Sequence, residues 1–349
     1  MVSTNENDNG AFNRGTGLLI IEVRYSNPNG DPDAESEPRT IDGDGRGLIS
    51  PVSYKRKLRD LVAVKDGHAW ISAKEALRLE GENDKRTVLH NTRHGLDHPT
   101  DRRQVKAKYN VLETRFRERE KIKEMNAFDF CAEFWDARVF GNTFLESLKE
   151  EKEGSDGPSQ GNLKKEKKRK KADDPEKRSH FISTGVVQFG PGISIAPISV
   201  IRDTWTNKAG VQEGKDRGMA PLAWRVVQHA VYAMPFFVNP CMAWKTGCGL
   251  NDLKLMQFLI PYAYRLNPSV GRPHVEVLHA WYAEHKTPLG SCPDSLILDA
   301  LTPKKAKGGA DEPSKSIDEY GKIPNCLPQE VQDRLANLED LCTKEWSNT

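Results

Sequence analysis

Residues 18–59 read LLIIEVRYSNPNGDPDAESEPRTIDGDGRGLISPVSYKRKLR. The first eight form a strand, with an apolar run that ends in alternation at Ile21, Val23 and Tyr25. Asn27-Pro28-Asn29-Gly30-Asp31-Pro32-Asp33 then stops it. Two prolines, a glycine and four Asn/Asp residues make a stiff, turn-rich loop. Gly43-Asp44-Gly45-Arg46-Gly47 is a second, glycine-rich loop. It leads into Ser50-Pro51, where Ser50 suits the N-cap and Pro51 the first helical position. The helix is predicted to run to about Val64. Tyr54, Leu58, Leu61 and Val62 share its apolar face, Lys55 and Arg59 flank that face one turn apart, and Arg56 points further out.

Moving outward, residues 67–125 are less regular and carry His68, His90, His94 and His98. His90 and His94 have i, i+4 spacing, but Asn91, Gly95 and Pro99 favour an exposed loop over a metal site. Residues 102–123 hold nine Lys/Arg against three Glu, which suits either a solvated helix face or a nucleic-acid contact. The aromatic-rich stretch 128–140 is expected in the core, with Gly141 as its stop. Residues 146–178 are nearly free of large apolar side chains and contain a lysine-rich run at 164–171, so they are expected to be disordered. Residues 185–190 read as a short strand. Residues 193–205, a polar tip at 207–218 and a return at 219–224 read as a long hairpin. A core strand at 225–238 follows, then a helix capped by Asn251, and a closing strand at 275–282. Residues 302–324 read as a linker, and 330–345 as a terminal amphipathic helix with Leu335, Leu338 and Leu341. Helices interspersed among antiparallel-capable strands, without steady β-α alternation, point to an α+β fold with a ferredoxin-like or RRM-like core carrying insertions.

Bulk properties exclude more than they select. The chain has 349 residues, enough for one large domain or two. Net charge is only +2, so any basic partner-binding surface has to be local. The six cysteines form no C-x-x-C pair and favour free thiols over a zinc site. The polar N-terminus has no signal pattern, and apolar runs such as 18–21 fall far short of a membrane span. A cytoplasmic protein with no membrane partner, cofactor or metal is the expectation.

The 43–59 unit carries the most chemistry. A glycine-rich loop exposes backbone N–H groups, and the helix behind it presents its positive dipole end. Lys55 and Arg59 along its side could hold successive phosphates. The motif is not a Walker loop, because no Gly-Lys-Ser/Thr follows. Asp31, Asp33, Asp42 and Asp44 invite a second reading, in which clustered carboxylates bind Mg²⁺ and cleave phosphodiesters. Turn chemistry explains them as well, and is preferred on the residues alone.

The 27–33 loop, then Gly47-Leu48-Ile49-Ser50 and Tyr54-Lys55-Arg56-Lys57-Leu58-Arg59, together resemble the backbone subunit of type I CRISPR Cascade complexes. This is Cas family seven of the RAMP superfamily, with the type I-C and I-B branches the nearest likeness. Residues 136–141 (DARVFG) and 185–190 (GVVQFG) extend the resemblance over about 18–285. It implies a modified RRM-like palm with a helical, finger-like insertion at 67–125 and a β-hairpin thumb at 197–224. The basic insertion at 146–178 and a linker with a C-terminal helix at 286–349 lie outside the usual pattern. It implies a non-catalytic role, with copies stacked head to tail along a CRISPR guide RNA beside other Cascade subunits, presenting the guide to a target DNA strand. The RNA-binding residues it implies are Lys55, Arg56 and Arg59, with Ser50, Ser53, Gly45 and Arg46 nearby, and Trp205 and Met219 at the thumb. Ala220-Pro221-Leu222 stand where many relatives carry basic residues. Related type III subunits cut target RNA, so a metal-dependent endoribonuclease using Asp31 or Asp33 is the concrete alternative.

Overall fold

The computed structural model describes residues 12–80, 84–90, 101–112, 122, 125, 127–145, 180–207 and 220–344. In chain order its strands are β1 (Gly15–Ser26), β2 (Gly30–Asp31), β3 (Glu37–Pro38), β4 (Arg46–Ile49), β5 (Lys85–His90), β6 (Asp101–Lys106), β7 (Gly141–Leu145), β8 (His180–Thr184), β9 (Val187–Phe189), β10 (Gly192–Pro197), β11 (Val200–Asn207), β12 (Ala220–Val238), β13 (Val275–His285) and β14 (Leu335–Asp340). The main helices are α1 (Pro51–Ala63), α2 (His68–Leu77), α3 (Ala127–Glu133), α4 (Trp135–Phe140), α5 (Leu250–Leu259) and α6 (Asp294–Leu301).

The apolar run at 18–21 becomes the centre of an antiparallel sheet ordered β14-β13-β1-β12-β10-β4, with β9 and β11 also paired to β12. A continuous apolar run, rather than a strict alternation, is what a strand buried on both faces requires. Leu19, Ile21 and Val23 point to one side and pack with Tyr54, Leu58, Leu61 and Val62 of α1, Trp70 of α2, and Leu253, Met256 and Leu259 of α5. Leu18 and Ile20 point to the other, against Trp281, Ile297, Leu301, Tyr320, Leu327, Val331 and Leu335. The fold is α+β, an RRM-like antiparallel sheet with helices on its first face.

The second face is covered by the chain's own C-terminal part. Residues 302–324, expected as a linker, pack down instead: Ser314 and Tyr320 are buried. Residues 330–345, expected as an amphipathic helix, form only a turn at Gln329–Gln332 and then β14, paired antiparallel to β13 from Trp281↔Asp340 to His285↔Leu335. The leucine spacing suits a helix, but β13 would otherwise leave a row of unpaired backbone groups at the sheet edge. Asp340 reinforces the strand choice by accepting hydrogen bonds from the Ala280 and Cys342 backbones.

Other boundaries shift by less. Helix α5 starts at Leu250 with Gly249 at its cap. Its first turn is held by Asp252, which accepts from Gly249 N, while Asn251 reaches Asp84 instead of capping. Segments 219–224 and 225–238, read as two strands, are the single β12, which extends from the core into the hairpin with β11. Within 67–125, α2 belongs to the core through Trp70 and Ala73, and β5 pairs β6 as a separate hairpin. The stretch 128–140 is two short helices with buried aromatics, ended by Gly141 at φ +78°. The expected disorder at 146–178, the hairpin tip with Met219, and His94 and His98 lie outside the described residues.

Candidate nucleic-acid interface

The two loops of the opening stretch build the start of α1. Asn29 is buried and accepts from Ser50 N at 2.8 Å. Asn27 donates to Ser36 O at 2.7 Å and to Arg225 O at 3.1 Å, so one loop fastens β1 to both the helix start and β12. Gly43 and Gly45 take φ of +95° and +66°, a region that costs a side chain energy. Asp44 accepts from Arg46 N and pairs with its guanidinium at 3.4 Å, leaving Arg46 about half exposed. Ser50 caps α1 by accepting from Ser53 N, with Pro51 in the first turn, as its sequence predicts.

The basic residues of α1 meet very different surroundings. Arg56 is exposed and pairs with Asp60 one turn on, at 2.7 Å. Arg59 is nearly enclosed, donating to Asp136 at 2.9 Å with its guanidinium 5.3 Å from the Phe140 ring centre. Lys55 lies 5.9 Å from the same ring. Burial, and then the Arg59 charge, hold its ammonium below the ordinary lysine range. The 136–141 motif is therefore the wall against which one basic edge of α1 rests. Its Arg138 is buried and locked to Asp252 at 2.8 Å, while also donating to the carbonyls of Cys131, Ala132 and Lys108.

Of the acidic residues considered for metal binding, Asp31 and Asp44 are engaged in turn chemistry. Asp31 accepts from Asp33 N at 3.1 Å and pairs with Arg39 at 3.2 Å. Among the described residues no group of three or more His, Cys, Asp or Glu is placed to hold a metal ion.

At the hairpin, Trp205 stacks on Trp224 with ring centres 4.6 Å apart and remains 43% exposed. Packing on its own hairpin thus takes one face of the Trp205 ring. The hairpin's base is tied to the 35–37 loop: Arg202 makes a two-point pair with Glu37 at 2.6 and 2.9 Å, and Arg225 pairs with Glu35.

The sequence reading passed over two cations. Lys57 lies inside the quoted K-R-K-L-R run yet is only 7% exposed. Arg272 sits in the loop before β13, with its Nε buried and without a partner. Neither stands out locally, because what distinguishes them is a neighbour more than 200 residues away.

The family model described as CRISPR-associated protein Cas7 matches residues 13–324. Among solved structures, the chain is similar to a chain of "CRISPR RNA-guided surveillance complex, pre-nicking" with 14% identity and a TM-score of 0.36, covering 78% of each chain. It is also similar to a chain of "CRISPR RNA-guided surveillance complex" with 14% identity and a TM-score of 0.35, covering 78% of this chain and 69% of that one. None of the curated proteins matches.

Proposed function

Since the chain belongs to the CRISPR-associated protein Cas7 family, we propose that it is a non-catalytic backbone subunit of a type I Cascade complex, nearest the I-C and I-B branches. Copies polymerise head to tail along a guide RNA in the cytoplasm and hold it for pairing with a target DNA strand, beside other Cascade subunits. A heterologous contact of this kind propagates as a helix rather than closing. Lys55, Arg56, Arg46 and the start of α1 grip phosphate and ribose, with Ser50, Ser53 and Gly45 shaping that grip. Arg59 sets the wall of the site through Asp136, and Trp205 with Met219 meets bases at the hairpin. A backbone that accepts any guide has to read the strand without reading its bases.

The observation that carries this reading is the covered second face of the sheet. A generic RRM-like binder stacks bases on exposed sheet aromatics. Here Leu18, Ile20 and Trp281 on that face are buried beneath α6, Tyr320 and Leu327. The remaining basic surface of this stretch is the helix start and its loops. The endoribonuclease alternative, using Asp31 or Asp33, is not favoured, because Asp31 already serves a turn and Arg39.

Two measurements test the proposal. Imaging the purified complex is expected to show stacked copies along one RNA, whereas a lone copy on RNA would overturn it. Incubating the assembled complex with complementary RNA and Mg²⁺ is expected to leave the RNA intact. Cleavage lost in Asp31→Ala would establish the enzyme reading instead. Among the described residues no helix is long and apolar enough to cross a membrane.

A further inference from the structure

The edge of α1 that faces away from Lys55 and Arg59 carries a second cationic feature. Lys57 lies two positions from Lys55, roughly 160° around the helix. Its side chain packs beside Tyr264, with Nζ 5.7 Å from the ring centre. Asn267 donates to Lys57 O at 3.2 Å and to Ala263 O at 2.9 Å, which fastens the segment leading to Arg272 onto α1.

Three donors are left over at this place. Among the described residues, neither the Lys57 ammonium nor the Arg272 guanidinium has a hydrogen-bond or ion-pair partner. The Tyr264 hydroxyl is buried and also lacks a partner. The neighbouring carboxylate, Asp60, is taken by Arg56 at 2.7 Å. Burial pulls Lys57 down to about 8, and the Arg272 charge pulls in the same direction. The Asp60 charge favours the Lys57 ammonium, but two like charges partly removed from water still oppose folding. The ring of Tyr264 at 5.7 Å is near the outer limit of a cation–π interaction and offsets little of that cost.

We propose that Lys57, Arg272 and the Tyr264 hydroxyl form a binding site for a phosphoryl oxyanion, supplied by a nucleic-acid phosphate or by free phosphate. The guanidinium can present two parallel N–H groups to two oxygens, and the ammonium and phenol can reach the others. A carboxylate, with two oxygens, would leave part of this donor set unpaired. The strand as source rests on the RNA-binding reading above, whereas the phosphate site does not. Because the site lies on the opposite edge of α1 from Lys55, a strand held there follows a different path, such as a second strand or a turn of the same one.

The test uses the full chain. Thermal unfolding is followed in sodium phosphate and in sodium chloride at equal ionic strength and pH 7. Wild type is expected to unfold at a higher temperature in phosphate. Lys57→Met and Arg272→Met are expected to lose that difference. Lys57→Met removes a desolvated charge without leaving a void, so in chloride it is expected to unfold no lower than wild type and to remain readable. A wild type indifferent to phosphate, or a shift that survives both substitutions, overturns the site. Stabilisation by a glutamate-rich peptide but not by phosphate overturns it in favour of an acidic protein partner.

A second arm distinguishes the sources. The salt dependence of single-stranded RNA binding is measured for wild type and both variants. If a strand phosphate occupies the site, the log–log slope drops by about 0.7 for each phosphate that the variant no longer neutralises. An unchanged slope with an intact phosphate shift assigns the site to free phosphate. Lys55→Ala with Arg56→Ala serves as the control for the guide grip. If it weakens RNA binding while the phosphate shift persists, the two sites are separate. If wild type fails to bind RNA at all, the guide-binding reading falls and the phosphate arm still decides this one.

Discussion

Lys55 and Arg59 sit one turn apart on α1, and residue type alone makes them equivalent. Their surroundings separate them. Arg59 is 12% exposed and paired with a buried Asp136, so removing it leaves a carboxylate short of its counter-charge. Arg59→Ala is expected to lower stability by about 2–3 kcal/mol in urea unfolding, which would confound any loss of RNA affinity. Lys55→Ala with Arg56→Ala is the cleaner probe. It is expected to weaken RNA binding to a similar degree across unrelated guide sequences, and a sequence-selective loss in filter binding would count against phosphate gripping. The buried Arg138–Asp252 pair sets the upper end of the scale: Asp252→Asn is expected to cost roughly 3–5 kcal/mol, read from the urea midpoint. It leaves a fully enclosed guanidinium without its anion, at a point where three backbone carbonyls also converge.

At the scale of elements, neighbouring segments approach closely enough to be tested by single atoms. A Cβ at Gly185 would lie 2.2 Å from the Gly141 nitrogen and the Phe140 carbonyl carbon, both backbone atoms that cannot swing aside. Gly185→Ala is therefore expected to cost about 2–3 kcal/mol by overpacking, measured as a lower thermal midpoint with RNA absent. The C-terminal segment is held to the sheet by a buried polar clasp. His229 of β12 contacts Ser314 at 2.8 Å and Glu22 of β1 at 3.2 Å, and Tyr320 donates to Ser314. Burial raises the Glu22 pKa, but hydrogen bonds from His229 and Arg24 outweigh it and hold the carboxyl below its usual 4.5. The folded value being the lower one, this contribution is complete above about pH 4.5 and is lost as pH falls through the folded value. Unfolding midpoints at pH 6 and pH 3 are expected to differ less in Glu22→Gln than in wild type. An equal difference would show that the clasp does not titrate.

Over the whole molecule, the sheet is buried on both sides, and the covering of its second face comes from residues beyond β13. Truncation after His285 is expected to expose Leu18, Ile20, Trp281 and Ala283 as one apolar patch and to give a chain that binds a hydrophobic dye and aggregates. A soluble, cooperatively unfolding truncation would mean that the cover is dispensable. The opening stretch made its own local structure legible. The apolar run dictates a buried strand, N-P-N-G-D-P-D a stiff turn, and S-P followed by a spaced apolar face a capped helix, because each depends on neighbours within a few residues. The motif resemblance likewise led to the family. What happens at 330–345 could not be read this way: leucines spaced by three suit a helix, and only the unpaired edge of β13 converts the segment to a strand. The site divides along the same line. Sequence alone determined the helix that carries the cations and the loop that starts it. Tertiary structure decided which cation is spent on Asp136 and that Lys57 lies against Tyr264, because charge pairing depends on distances between segments that the local chain does not specify.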